Sequence, residues 1–345
     1  MKKAITMVLV VVFLLAMLSA CAPAATTSGA ASDAQPKTND GKKEVYVWAM
    51  LLNSYPMFVN NDYIGMDLAA KELGVEVKKI GPQDVDLPAM VAAIQQEISK
   101  KPAGMMIPGA DASLGAVIDE VMDAGIPVVT VDADVPKSKR LCFVGTDWYQ
   151  LGYEQAKAAA PFIKDAGAKK AVCIGLPGAD NNTSAMNGYI AAMKEFAPNI
   201  EVVLPEYASQ SNAQKVTETI SNLIKSDPSI ITVAGFDGTT GPGIAQAIKE
   251  TNMVGKVFGT CVDAETEQLQ GVKDGALVAA VGQKRIFFTY YGVKMLYDYN
   301  HNNVKFTDDD KAAGITPIPP EITTGLIIVN KDNVDLMLAS AAKKK

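Results

Sequence analysis

From Glu44 onward the chain alternates two hydrophobic patterns. Short runs rich in β-branched and apolar residues predict strands near 44–50, 75–80, 103–107 and 126–131, and again near 169–174, 200–205, 230–234, 256–260 and 277–281. Between them apolar residues recur at helical spacing. Met90, Ile94 and Ile98 fall at i, i+4 and i+8, which leaves Gln95, Gln96 and Lys100 for solvent. Further helices are predicted over 186–196, 214–224 and 244–251. Strand–helix alternation is the signature of βαβ units, so the fold class is α/β, with two Rossmann-like lobes built on parallel sheets. Two such lobes imply a cleft between them. Ligands of open parallel sheets sit at the carboxyl ends of the strands, so functional residues belong in βα loops.

The amino terminus follows another pattern. Met1-Lys2-Lys3 is a short basic region, and the apolar run 5–18 is too short for a comfortable bilayer span. It reads as a signal peptide over residues 1–20. Its ending, Leu18-Ser19-Ala20-Cys21, resembles the lipobox of bacterial lipoproteins, in which the cysteine is lipidated and becomes the first residue. Residues 21–43 shift to Ala, Thr, Ser, Gly, Asp and Pro with no periodicity to bury, which predicts a flexible tether. The protein is therefore expected outside the cytoplasm, held to the cell membrane by its lipid.

Composition narrows the function. With 345 residues, 48% of them hydrophobic, the chain can build about two domains with no need of disulfides. The formal charge is −6, and loss of residues 1–20 removes Lys2 and Lys3 and no acid, taking it to about −8. An acidic protein is a poor match for nucleic acid, whereas a neutral small molecule fits. His301 is the only histidine, which excludes a His-rich zinc site and paired-histidine mechanisms; no metal and no cofactor are expected. Cys142, Cys173 and Cys261 lie in apolar, strand-like segments and read as buried free thiols. Gly241-Pro242-Gly243 half-matches a dinucleotide fingerprint, but the third glycine is missing and Pro242 removes an N–H. It reads as a helix start.

Several stretches together resemble the solute-binding proteins of bacterial ABC importers, in the ribose-binding-like branch of the type I periplasmic binding proteins. Asn53-Ser54-Tyr55-Pro56-Met57-Phe58 is similar to the family's aromatic ligand loop. Ile126-Pro127-Val128-Val129-Thr130-Val131-Asp132 is similar to its fourth strand, ending in a ligand aspartate. Val144-Gly145-Thr146-Asp147, Val281-Gly282-Gln283 and Thr324-Gly325-Leu326 resemble its inter-lobe crossings and terminal strand. The resemblance implies a three-segment hinge, with lobe 1 formed by residues 44–146 plus 284–321 and lobe 2 by 147–283 plus 322–345. It also implies closure around a ligand.

A sugar presents hydroxyls around its rim and weakly apolar faces, so its site wants acids and amides in plane with aromatics above and below. Tyr55, Met57 and Phe58 are candidates for an apolar wall, although an aromatic after a strand is also plain core. Asp132 and Asp134 are candidates to accept from adjacent hydroxyls. Asp263 matches another family aspartate, and Gln283 a family amide. Asp237 lies where the family shows Asn-Asp, with Phe236 in place of the asparagine as a candidate stacking face. Ala133 and Ala185 stand where members carry arginine, which argues against ribose itself. Asn181 and Asn182 are candidate replacements, alternatively turn or cap residues. Trp148 either stacks at the cleft mouth or packs under the hinge. Arg285 and the aromatics after it read mostly as core.

The expected function is capture of a monosaccharide (hexose, deoxyhexose or pentose) and its delivery to an ABC permease, with no chemistry. The partners are the sugar and the permease, with a chemoreceptor or sensor kinase as the signalling alternative and a furanone polyol or nucleoside as the alternative ligand. The protein is expected to be a monomer.

Overall fold

A computed structural model describes residues 43–53, 57–301, 304–310 and 312–342. The signal peptide, the lipid-bearing Cys21 and the tether up to residue 42, expected from the sequence, lie outside these residues, as does Tyr55.

The described chain builds two six-stranded sheets of matching order. In lobe 1, β1 (Val45–Ala49), β2 (Glu76–Ile80), β3 (Gly104–Pro108), β4 (Val128–Asp132), β5 (Cys142–Gly145) and β11 (Glu321–Thr323) line up as β11-β5-β4-β3-β1-β2. In lobe 2, β6 (Lys169–Gly175), β7 (Ile200–Ala208), β8 (Ile230–Gly235), β9 (Phe258–Val262), β10 (Leu277–Gln283) and β12 (Leu326–Val329) line up as β12-β10-β9-β8-β6-β7. All neighbours run parallel except β12, which is antiparallel to β10 and so departs from an all-parallel expectation. β11 pairs Ile322 with Val144 and Thr323 with Gly145, so the third crossing falls at Thr324 and Gly325 rather than at Ile322.

Both faces of each sheet are covered by helices, as their strand patterns require. Alternate residues of β1 point to opposite cores. Tyr46 and Trp48 pack with Met66 of α1 (Tyr63–Leu73) and Leu296 of α9 (Ile286–His301). Val47 and Ala49 pack with Met90 and Ile94 of α2 (Leu87–Ile98) and Ile118 of α3 (Leu114–Asp123). The predicted face of α2 is therefore the buried one. In lobe 2, α4 (Trp148–Ile163) and α5 (Asp180–Phe196) cover one face. The other face is covered by α6 (Ala213–Ser226), α7 (Thr240–Glu250), α8 (Thr266–Lys273) and α10 (Val334–Ala342). Asp147 starts α4 by accepting from Gln150 N at 2.9 Å, a side-chain N-cap. Gly241 lies in the first turn of α7 against Gln268 and Cys261, which matches the helix-start reading.

Helices α4 and α5 approach so closely that a β-carbon on Gly152 would lie 1.7 Å from the Ala185 carbonyl oxygen. Ala185 is thus a helix-contact residue with no exposed surface. Cys142, Cys173 and Cys261 are buried and form no disulfide among the described residues. Among the described residues no helix is long and apolar enough to cross a membrane.

Candidate functional site

The loop after β1 and the ends of β4, β8, β9 and β10 converge at the carboxyl edges of the two sheets. On the lobe 1 side, Phe58–Asp62 form one π-helical turn leading into α1. Such a turn is a local rearrangement of helical register that recurs at functional sites. Asp62 lies inside it, its side chain only 1% exposed, and its backbone carbonyl accepts from Thr289 Oγ1 at 2.5 Å. Its carboxylate faces Arg285. Arg285 Nε donates to Asp62 Oδ1 at 3.2 Å and Nη2 to Asp62 Oδ2 at 2.9 Å. The same guanidinium reaches Asp132, Nη1 to Oδ1 at 2.7 Å and Nη2 to Oδ2 at 3.1 Å. The rings of Phe58 and Phe288 flank it, their centroids 5.4 and 5.1 Å from Cζ.

Asp132 ends β4 with φ +70°, and Ala133 N donates to Val131 O at 2.8 Å across it. This is a three-residue turn in its strained, left-handed form. Asp263, directly after β9, repeats the left-handed backbone in lobe 2 with φ +66°. Two non-glycine residues held this way at two strand ends mark a site the fold over-determines.

On the lobe 2 side, Gln283 is oriented at both ends of its amide. Its Oε1 accepts from Thr146 Oγ1 at 2.9 Å, and its Nε2 donates to Asp263 Oδ1 at 3.0 Å. Thr146 belongs to the first crossing and Gln283 to the second; the third joins them where Thr324 N donates to Gly145 O at 3.0 Å. After β8, Asp237 Oδ1 accepts from Thr239 N and Oγ1 at 2.9 and 2.6 Å. Asp237 Oδ2 is buried with no hydrogen-bond partner among the described residues. Gly238 abuts Asp263, since a β-carbon there would lie 3.1 Å from Oδ2. A pocket of about 170 Å³ opens between the halves, lined by Met57, Asn61 and Arg285 from lobe 1 and by Asp263, Thr266 and Gln283 from lobe 2.

The electrostatics are lopsided. Burial pushes the Asp62 carboxyl up to about 7, against the pull of Arg285. Burial likewise raises Asp263, with Gln283 and Arg285 opposing and Asp132 and Asp237 adding to the rise. Burial also works against the Arg285 charge, but Asp132 and Asp62 outweigh it and raise the guanidinium further. The asymmetry is physical: the arginine gains two carboxylates, while Asp62 gains a share of one guanidinium and loses nearly all its water.

The structure thus gathers Met57, Phe58, Asp132, Asp237, Asp263 and Gln283 at one locus. Other candidates are turned elsewhere. Asp134 Oδ1 accepts from Thr130 Oγ1 at 2.6 Å, and both its oxygens take Arg140, so the acid pair expected at 132 and 134 points two ways. Phe236 has no exposed surface and meets Tyr189 edge-on, so the stacking face expected there is consumed by the core. Asn182 is buried and accepts from Leu176 N at 2.9 Å, while Asn181 accepts from Asn182 N; both serve the turn into α5. Trp148 begins α4, half-buried against the lobe 2 core. Asp62 and the role of Arg285 were not anticipated. One signal was available: Arg140 and Arg285 are the only arginines in a chain otherwise supplied with lysine. A residue type kept for two positions marks sites that need a planar fork.

Comparison with known proteins agrees with this geometry. Residues 47–302 match the family described as periplasmic binding protein domain. The chain belongs to that family. It is 27% identical over 293 residues to a ribose import binding protein of Bacillus subtilis (strain 168), covering 82% of this chain and 88% of that protein. It is 24% identical over 243 residues to a D-allose-binding periplasmic protein of Escherichia coli (strain K12), covering 68% and 78%. An arabinose-binding protein of Geobacillus stearothermophilus superposes with a TM-score of 0.76 at 25% identity, over 86% of this chain and 99% of that one.

Proposed function

We propose that this protein captures a neutral monosaccharide between its lobes and hands it to a membrane permease of the ABC importer type, without chemical conversion. The observation that carries the reading is the imbalance of the site: around Asp263 the carboxylates of Asp132 and Asp237 are opposed by a single guanidinium, that of Arg285, one Asp237 oxygen is buried with no partner among the described residues, and Phe58 supplies an apolar face. Acceptor-only groups in excess call for a ligand rich in O–H donors and free of negative charge. The names of the curated relatives, which bind ribose and allose, support a sugar.

The same reading puts the protein outside the cytoplasm on a lipid attached at Cys21, with the lobes divided near the three crossings. Melting of the purified protein against pentoses, hexoses, deoxysugars, polyols and nucleosides tests the function, because a ligand bound only by the folded state raises the midpoint. A rise confined to one or two sugars is expected; a rise only with a nucleoside would overturn the sugar. Loss of membrane association in Cys21→Ser tests the anchor.

A further inference from the structure

Arg285 has five N–H donors, and the described residues account for four: one on Nε, two on Nη2 and one on Nη1. The remaining Nη1 hydrogen has no acceptor among the described residues, and Arg285 lines the pocket. Its two carboxylate partners differ. Asp62 is sealed, its side chain 1% exposed, whereas that of Asp132 is 26% exposed and keeps free lone pairs. The sealed partner holds the fork, and the open one lies against the pocket-lining guanidinium with part of its carboxylate exposed.

We propose that Arg285 and Asp132 form a mixed donor–acceptor pair that reads a vicinal diol of the ligand, with Asp62 as the positioning residue that fixes the fork. Nη1 and Oδ1 are 2.7 Å apart. Two gauche oxygens on adjacent carbons have a similar spacing, so one hydroxyl donates to Asp132 while its neighbour accepts from the spare Nη1 hydrogen. A lone carboxylate would read two donors and accept many polyols. A carboxylate beside a guanidinium reads one donor and one acceptor in fixed order, which selects a neutral sugar with that diol and rejects its deoxy relatives. Selection also falls on the π-helical turn, because it brings Asp62 to the buried side of the fork.

The inference deepens the sugar-binding reading and rests on it. Calorimetric titration of the full chain with D-ribose, D-allose and arabinose identifies a parent sugar, which is then compared with each of its monodeoxy analogues. Deoxygenation at two adjacent carbons is expected to weaken binding by roughly 10- to 150-fold, the range for hydrogen bonds to charged groups. Arg285→Lys, which keeps the charge and loses the fork, is expected to weaken the parent but not the analogue lacking the accepting hydroxyl. The double variant Asp62→Asn/Arg285→Gln removes the buried charges together and gives the same cycle if the single variant folds poorly. Equal weakening of the parent and every analogue in both variants would overturn the role of Arg285 and leave sugar binding intact. Where none of the three binds, the parent is taken from the melting panel, and failure of the wild-type chain to bind any sugar of that panel would overturn both readings.

Discussion

Thr146 donates its hydroxyl to Gln283 Oε1 at 2.9 Å, tying the first crossing segment to the second. The bond settles which end of the Gln283 amide faces Asp263, because the oxygen is taken and the nitrogen is left to donate. Thr146→Val keeps the shape and removes the donor. It is expected to cost about 1 kcal/mol of stability and to weaken sugar binding by roughly three- to tenfold, measured by melting and calorimetry. Unchanged affinity would show that Gln283 holds its orientation without Thr146.

Asp132 and Asp134 are two residues apart and carry different loads. Asp132→Ala is expected to abolish measurable binding, since it removes the open half of the pair with Arg285. Asp134→Ala leaves Arg140 with only the Pro320 carbonyl and Thr130 with only the longer contact to the Cys142 carbonyl, so it is expected to lower stability by about 1–3 kcal/mol and leave affinity within about twofold. Titration and chemical denaturation of both variants separate the two roles.

Removing one member of a buried ion pair strands the other. Arg285→Met leaves Asp62 sealed without a counter-charge and is expected to cost about 3–5 kcal/mol, far more than the paired Asp62→Asn/Arg285→Gln replacement. Denaturant midpoints of the two proteins make the comparison.

Mild acidification from neutrality, above the range where the carboxylates held low by their partners begin to protonate, should stabilise the ligand-free protein and weaken its binding. The Asp62 carboxyl rises from 3.8 to about 7 on folding, so between these values the folded state retains a proton that the unfolded chain has released. That contribution is fully present below the lower value and is lost as pH rises through the upper one. Asp263, also raised, adds in the same direction. The melting temperature of the ligand-free protein is expected to fall as pH rises toward 7, and Asp62→Asn should flatten the slope. Sugar affinity should move oppositely, because protonated Asp263 has less capacity to accept.

The contact between α4 and α5 leaves no room for a side chain on Gly152. Gly152→Ala is expected to force the helices apart and to destabilise the protein by about 1–3 kcal/mol or more, while a folded fraction still binds sugar. Melting with and without ligand checks both parts.

Strands and helices were legible because burial on both faces of a parallel sheet writes continuous apolar runs, and each helix shows one stripe. β11 was not, because three residues after a proline-rich stretch carry no period. At the site, Asp132, Asp263 and Gln283 could be placed because strand ends are where a chain leaves its sheet and meets a ligand. Asp62 could not: a π-helical turn has no composition of its own, and an acid after two asparagines reads as a solvated face. Phe236 failed for the opposite reason, since an aromatic at a strand end has the same pattern whether it faces a cleft or a core.

The chain passes between the lobes three times, and this governs how the protein comes apart. A protease that cuts at Thr146 produces two pieces, yet the carboxyl-terminal piece still carries α9 and β11, which belong to lobe 1 and stay packed on α1 and paired with β5. No single nick frees a lobe, so a cleaved molecule remains one non-covalent body that migrates intact under native conditions and falls into fragments only when denatured.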